Sequence, residues 1–409
     1  MAVTTLGFMI GSSRAFGYDS AVTVHYFVRV DSLAEVLTRQ NNFNNHPLFS
    51  ALSWALSRGF GSSEVAMRAL PAVAAGCAVG VLGWAVARRA DNWASATAMT
   101  LLATNPVFVS TSREVRGYSI LVLVAVAGTF LVIEDRPGWL YAVALGIGIG
   151  THLYALGVMT GHVGFLYSTN RVTQRWRTSL LGGLVMGSAL YVGVLRTMVQ
   201  APRGREFRPY FPLNLTWELL GGATIAVLAT GLLLGVGSWH RRSTVHAPVA
   251  AFAVAALLGP WLILRPLDLY PRFYVWVVPA VAIIAACAVH RHRRLALVAF
   301  LAGGVALWAQ VPTWTADPLA AREAARAVAS IEGDVCILGW SGEAVMAYIP
   351  GGVRLGPGEA VNGCAAAVVL LPDEHPELVA AARDQFGTET VLDGAVTPSL
   401  LFSHASGGR

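Results

Sequence analysis

The chain has 409 residues, of which 55% are hydrophobic and 13% charged, with a mean hydropathy of +0.57. A soluble globular chain carries roughly 25% charged residues, so this composition excludes an ordinary soluble enzyme and indicates a polytopic membrane protein. The formal net charge is +6 and all 29 basic residues are arginine. They fall in short clusters between apolar stretches and not along one polar face, which excludes a nucleic-acid surface and reads as topology signals and phosphate contacts.

A spanning helix needs about 20 mostly apolar residues. The first apolar stretch offers only about a dozen before Arg14, less than a full span. Residues 1–12 lack a basic n-region and a cleavage-like site, so no cleavable signal peptide is expected. The long polar segment 14–68 holds two predicted amphipathic interfacial helices. One opens on a capping box at Ser32 to Glu35, with Leu33, Val36 and Leu37 at helical spacing. The other starts after Pro47, with Leu48, Leu52 and residues 54–56 as its apolar face, and ends at the break of Gly59 and Gly61.

Spans are predicted over 67–87, 93–109 and 119–133. The stretch 139–168 is too long for one span and divides into two short helices turning near His152 and Tyr154. Further spans follow over 179–198, 219–239, 247–264, 273–290 and 295–309, giving about eleven helices in all. Residues 1–310 thus form a mainly α transmembrane bundle. Residues 311–409 form a small α/β domain, with helices near 320–331 and 376–386 and strands near 334–338, 365–371 and 390–392. Of the four cysteines, Cys77 and Cys287 lie in apolar spans, which leaves Cys336 and Cys364 in the tail as the pair able to form a disulfide.

Basic residues accumulate in cytoplasmic loops. With the helices counted as above, Arg88 and Arg89, then Arg171, Arg175 and Arg177, then Arg241 and Arg242, then Arg291, Arg293 and Arg294 share one side. That side is cytoplasmic and holds the N-terminus. The extracytoplasmic side receives the first loop 14–68, the turn at 110–118, the turn at His152, the loops 200–218 and 265–272, and the C-terminal domain.

Polar chemistry concentrates on that outer side. Asp19, just after helix one, is suited to deprotonating an acceptor hydroxyl and equally to capping a helix. The run Ser112-Arg113-Glu114-Val115-Arg116-Gly117-Tyr118 places two arginines against the positive-inside trend. Arginine forks bind phosphate bidentately, and a local ion pair of Arg113 or Arg116 with Glu114 is the plainer alternative. His46 sits in an asparagine-rich turn before Pro47, as a binding group or as a solvated loop histidine. His152 and Tyr154 mark a helix turn near the outer face, as substrate contacts or as an aromatic belt. Arg272, in Pro271-Arg272-Phe273-Tyr274, opens a helix where it holds phosphate or snorkels to headgroups. No metal motif, Walker A sequence or dinucleotide fingerprint occurs, so the energy of any reaction must arrive with an activated substrate.

In order, Asp19, Asn45-His46-Pro47-Leu48, Gly61-Ser62-Ser63-Glu64 with Arg68-Ala69-Leu70-Pro71, Ser112 to Tyr118, His152-Leu153-Tyr154 and Arg272-Phe273-Tyr274 resemble the GT-C type polytopic membrane glycosyltransferases. The likeness is to the family 39-like bacterial relatives of the dolichyl-phosphate-mannose protein mannosyltransferases and of the lipid A aminoarabinose transferase. In that family an Asp-Glu pair occupies the first loop. Asp19 matches its first position and Ser20 departs from the second; Leu48 likewise stands where a second proline is usual. Glu114, Arg116 and Tyr118 match a Glu-x-Arg-x-Tyr segment of the active-site cavity. The resemblance implies an inverting single displacement in the cell envelope. A sugar would pass from a polyprenyl-phosphate co-substrate to a glycan, lipid or protein acceptor, with Asp19 as base and arginines on the leaving phosphate. It implies no further cofactor and leaves a divalent metal open. The competing readings are a membrane transporter or lipid flippase, against which no internal repeat is found, and a glycosyltransferase-like scaffold without activity.

Overall fold

The computed structural model describes residues 2–39, 45–192, 271–291 and 293–315, and in the tail 321–329, 331, 333–338, 346, 348–349, 352–355, 364–370, 376–386, 388–392 and 399–403. The spans expected over 219–239 and 247–264, the end of the span 179–198, and Arg265 lie outside the described residues.

The helices in chain order are α1 (Ala2–Met9), α2 (Tyr18–Thr23, continued by a π turn Val24–Val28), α3 (Leu33–Thr38), α4 (Pro47–Phe60), α5 (Glu64–Ala87), α6 (Asn92–Ala103), α7 (Pro106–Thr111), α8 (Tyr118–Ile133), α9 (Gly138–Thr151), α10 (Ala155–Ser168) and α11 (Gln174–Ser188). A 3-10 segment Pro271–Val277 leads into α12 (Val278–Arg291) and α13 (Arg294–Thr315). The tail then runs α14 (Ala321–Val328), β1 (Val335–Leu338), β2 (Val353–Leu355), β3 (Ala366–Leu370), α15 (Pro376–Gln385), β4 (Thr388–Leu392) and β5 (Ser399–Ser403). Packing divides the chain into two units, one of Met1–Ile10, Leu37–Leu52 and Ala69–Val311, the other of Gly11–Val36, Ser53–Arg68 and Pro312–Arg409.

In the first unit, α5 has 24 residues, about 36 Å at 1.5 Å per residue, enough to cross a hydrocarbon core of about 30 Å. On α13, Leu297, Leu301, Val305 and Trp308 line one face and stay 60–78% exposed. An apolar stripe turned outward is the inverse of a soluble helix and suits contact with lipid. The span expected over 93–109 is two helices, α6 and α7. Asn105 accepts a hydrogen bond from the Phe108 N–H at 3.1 Å and Pro106 takes the first helical position, so a cap and a proline restart the helix there. The division of 139–168 into α9 and α10, turned at His152, is as expected. A Cβ on Gly187 would lie 2.8 Å from the Gly146 carbonyl, so the bare glycine is what lets α11 approach α9 at backbone distance. His162 on α10 is held by two neighbours: Thr129 gives its only proton to the Ala125 carbonyl at 2.6 Å. The Thr129 oxygen therefore accepts from His162 Nε2–H at 3.0 Å, and Nδ1 accepts the Tyr141 hydroxyl proton at 2.9 Å.

One end of the helices is tied by ion pairs. Asp135, in the α8–α9 turn, accepts from Arg171 at 3.2 Å, from Arg175, and from the Trp176 indole at 3.1 Å. Glu134 pairs with Arg136 at 2.8 Å and lies 3.9 Å from Arg89. The loops after α5, α8 and α10 therefore meet at the end that arginine bias assigns to the cytoplasm. Since α8 starts at the opposite end and α9 returns to it, Tyr118 and His152 share that other end.

In the second unit, β1, β2 and β3 are parallel and β5 and β4 antiparallel, in the order β2-β1-β3-β5-β4. Alternation along β1 sends Val335 and Ile337 to the α14 face and Cys336 and Leu338 to the α15 face, so the tail is a sheet between two helices. The short strands β2 and β5 are additions to the sequence reading. Cys336 and Cys364 form a disulfide with their Cα atoms 5.8 Å apart, across 28 positions of sequence. Replacing both by serine is expected to lower the tail's stability by roughly 2–4 kcal/mol through the lost restriction of the unfolded chain, read as earlier unfolding of the tail in denaturant-titrated proteolysis of the full chain.

In the first loop, the capping box of α3 appears in shifted form: Ser32 Oγ accepts from the Glu35 N–H, and Glu35 Oε2 accepts from the Asp31 N–H, both at 3.2 Å. Phe27, Val30 and Val36 bury against Val22, Tyr26 and Trp54, and the Trp54 indole donates to the Val30 carbonyl at 2.9 Å.

Candidate active site

Three helix ends converge within the first unit. Pro47 opens α4 with a fixed φ and places His46, 1% exposed, immediately before it. Gly117 caps α8, whose first residue, Tyr118, is fully buried. α9 ends at His152, which takes an extended conformation and is 1% exposed.

The rings of these residues form one cluster. His46 lies 5.0 Å from Tyr118 and 4.6 Å from His152 between ring centroids, and Tyr118 lies 5.5 Å from His152. Tyr154 stacks on His152 at 4.6 Å and reaches Tyr274 at 6.4 Å. The packing is tight at Gly117, where a Cβ would stand 2.3 Å from the Thr151 methyl, 3.0 Å from His46 Nδ1 and 3.3 Å from Phe49. Gly117→Ala is accordingly expected to displace His46 and lower stability by about 1–3 kcal/mol, measured as a drop in the unfolding midpoint in detergent.

Burial first, and then the positive charge of Arg116, hold the His46 imidazole well below its usual range, and the same two causes, joined by Arg272, bring His152 down to about 3. Both rings are therefore neutral at physiological pH. His152 Nδ1 accepts the Tyr154 N–H at 3.1 Å, so the proton of the neutral ring is on Nε2. That buried Nε2–H has no hydrogen-bond partner among the described residues. A donor in that state carries a desolvation cost that an incoming oxygen would relieve. Because the folded pKa is depressed, the unfolded chain binds more protons, and stability is expected to fall as pH drops from about 6.5 toward about 3. His152→Asn should flatten that slope in thermal unfolding at stepped pH.

Of the residues singled out from the sequence, His46, Tyr118, His152 and Tyr154 meet directly, with the charges of Arg116 and Arg272 bearing on the two imidazoles. Arg113, in the same turn as Arg116, is buried and gives an Nη2 proton to the Ile10 carbonyl just after α1. Glu114 is half-buried in that turn. Asp19 stands half-exposed in the first turn of α2, in the second unit, its carbonyl accepting from the Thr23 hydroxyl at 3.1 Å. Tyr274, Thr151, Phe49 and Gly117 complete the packing and were not among the candidates. Each sits one to three residues from a candidate, which was the signal available.

The family model for dolichyl-phosphate-mannose-protein mannosyltransferase matches residues 44–195, which include His46, Tyr118, His152 and Tyr154. No curated protein sequence matches the chain. Among solved structures, the chain is similar to ArnT from Cupriavidus metallidurans bound to undecaprenyl phosphate, with 14% identity, a TM-score of 0.68 and coverage of 99% of this chain and 97% of that one. It is similar to the same enzyme in the apo state at 15% identity and a TM-score of 0.63, covering 98% and 96%. The Archaeoglobus fulgidus oligosaccharyltransferase, in complex with Zn and sulfate, matches at 12% identity and a TM-score of 0.59, covering 93% of this chain and 69% of that one. The fold is that of the GT-C membrane glycosyltransferases.

Proposed function

We propose that this protein transfers a sugar from a polyprenyl-phosphate donor to an acceptor at the extracytoplasmic face of the membrane. The observation that carries the reading is the meeting of two arginine charges, Arg116 and Arg272, with a buried His152 Nε2–H donor on one aromatic cluster. Two guanidinium groups suit a phosphate. A lipid-linked donor keeps its phosphate at headgroup level, and the undecaprenyl phosphate bound by the ArnT relative is of this class.

In the reaction, the acceptor hydroxyl attacks the anomeric carbon as the bond to the phosphate oxygen breaks. The acceptor proton passes to the Asp19 carboxylate and the bonding electrons leave with the phosphate, so the configuration inverts. Arg116 and Arg272 stabilise the charge that builds on the leaving group, Arg113 ties the turn that carries Arg116 to the Ile10 carbonyl, and Glu114 in the same turn is the second acid available to the chemistry. Asp19 holds the base role by its match to the first acid of the family's opening loop. The tail, residues 311–409, is extracytoplasmic and the N-terminus cytoplasmic; the arginine clusters and the Cys336–Cys364 disulfide, which forms in oxidising compartments, support that orientation.

The test is transfer of radiolabelled sugar from polyprenyl-phosphate sugars by the purified full chain in detergent, with membrane extract as acceptor source. The expected result is labelled acceptor and one released polyprenyl phosphate per sugar moved. Intact donor, together with its movement across the bilayer of proteoliposomes, would sink the transferase reading in favour of a flippase.

A further inference from the structure

Residues 12–16, just ahead of α2, are non-helical, and side chains hold their backbone. Arg68 donates through Nη1 to the carbonyls of Ser12 and Arg14, both at 2.6 Å, and through Nη2 to that of Ala15 at 2.9 Å. Arg322, from α14, donates to the Ser13 carbonyl. The Tyr348 hydroxyl accepts the Phe16 N–H at 2.7 Å and donates to Glu64 Oε1 at 3.0 Å. Arg322 reaches the same carboxylate oxygen through Nε at 3.1 Å and Nη2 at 2.5 Å. Phe16 is 1% exposed, its ring 6.0 Å from that of Tyr348 and 5.2 Å from the Arg68 guanidinium. Four successive carbonyls and the next N–H are thus satisfied by three side chains, two of them from the C-terminal domain.

We infer that Arg322 and Tyr348 of the C-terminal domain are positioning residues, which through Glu64 and the backbone of residues 12–16 hold the start of α2 and so aim Asp19. Gly17 caps α2 and Asp19 follows in its first turn, leaving little slack between the clamped Phe16 and the carboxylate. The role given to Asp19 rests on the transferase reading above; the clamp itself rests only on the contacts. A shift of about 1 Å at a reacting group is enough to cost on the order of 10²-fold in rate, so a loosened clamp should act on kcat and not on donor affinity.

The experiment compares the full chain in detergent with its Tyr348→Phe, Arg322→Glu and Glu64→Arg/Arg322→Glu variants, by hydrogen exchange of the peptide spanning residues 12–18 and by transfer kinetics. Tyr348→Phe keeps the ring and removes both hydroxyl bonds, so it remains informative if Arg322→Glu fails to fold. Expected are exchange of the peptide faster by about tenfold, kcat lower by about tenfold or more with the donor KM unchanged, and partial return of both in the charge-swapped pair. Unchanged exchange would overturn the clamp. Faster exchange with kcat unchanged would overturn its positioning role. Asp19→Asn transferring at the wild-type rate would instead remove the base assignment, and the exchange result would still decide whether the C-terminal domain holds the segment.

Discussion

Asp19→Asn is expected to lower the transfer rate by about 10²–10⁴-fold with donor binding unchanged, the range by which a positioned general base accelerates a reaction. Asparagine is nearly isosteric, and the bond that the Thr23 hydroxyl makes to the residue 19 carbonyl is a backbone contact that survives the change. Asp19 is also half-exposed, so folding should be little affected. The substitution removes the carboxylate able to take the acceptor proton. The measurement is single-turnover transfer with saturating donor, beside equilibrium binding of polyprenyl phosphate. A rate within a factor of two of the wild type would take Asp19 out of the chemistry and turn attention to Glu114. Ser20, where the resemblance leads one to expect a second acid, is 3% exposed. A carboxylate buried there would need a partner to offset its desolvation, so Asp19 has to act without a neighbouring acid at position 20.

Arg116→Gln is expected to lower kcat/KM for the donor by about 10²–10³-fold, the loss found when one preorganised donor to a developing anion is removed. The side chain is 4% exposed and its charge is the leading electrostatic influence on both His46 and His152. Its removal therefore takes away part of what keeps the two imidazoles neutral, and the pH dependence of stability should shallow in the same variant. Arg116→Lys keeps the charge without the planar fork and should recover only part of the rate. Arg272→Gln should act on the same parameter, and the double variant should lose less than the product of the single losses if both arginines hold one phosphate. Competition of labelled donor by free polyprenyl phosphate reads the effect directly; affinity unchanged in both variants would move the phosphate site elsewhere.

The membrane class, the order of the helices and most of their limits were legible because they depend on local chemistry. Apolar runs of sufficient length, arginine clusters between them, the proline that opens α4 and the over-long stretch that had to turn near His152 each carry their meaning within a few residues. The break between α6 and α7 was written in Asn105-Pro106 and is hidden by the apolar residues on either side. β2 is three residues long and β5 five, too short for a period-2 pattern to stand out, and both are fixed by their neighbours in the sheet.

The candidates themselves were readable as residue types, since an arginine, a histidine or a tyrosine in an outer turn of a membrane protein invites a functional reading. Their assembly was not. That His46, Tyr118 and His152 form one cluster follows from three helix ends, separated by 72 and then 34 positions, coming to the same end of the bundle. That Arg113 serves the Ile10 carbonyl while the charge of Arg116 bears on the two imidazoles is decided by tertiary packing. Glu64, at the opening of α5, meets Arg322 and Tyr348 from more than 250 residues further on, a pairing that no local pattern announces. Sequence fixes what local physics dictates, namely hydropathy, capping and loop charge. Which carbonyl an arginine holds, and which imidazoles its charge bears on, is settled by contacts between distant segments, and only tertiary packing specifies those.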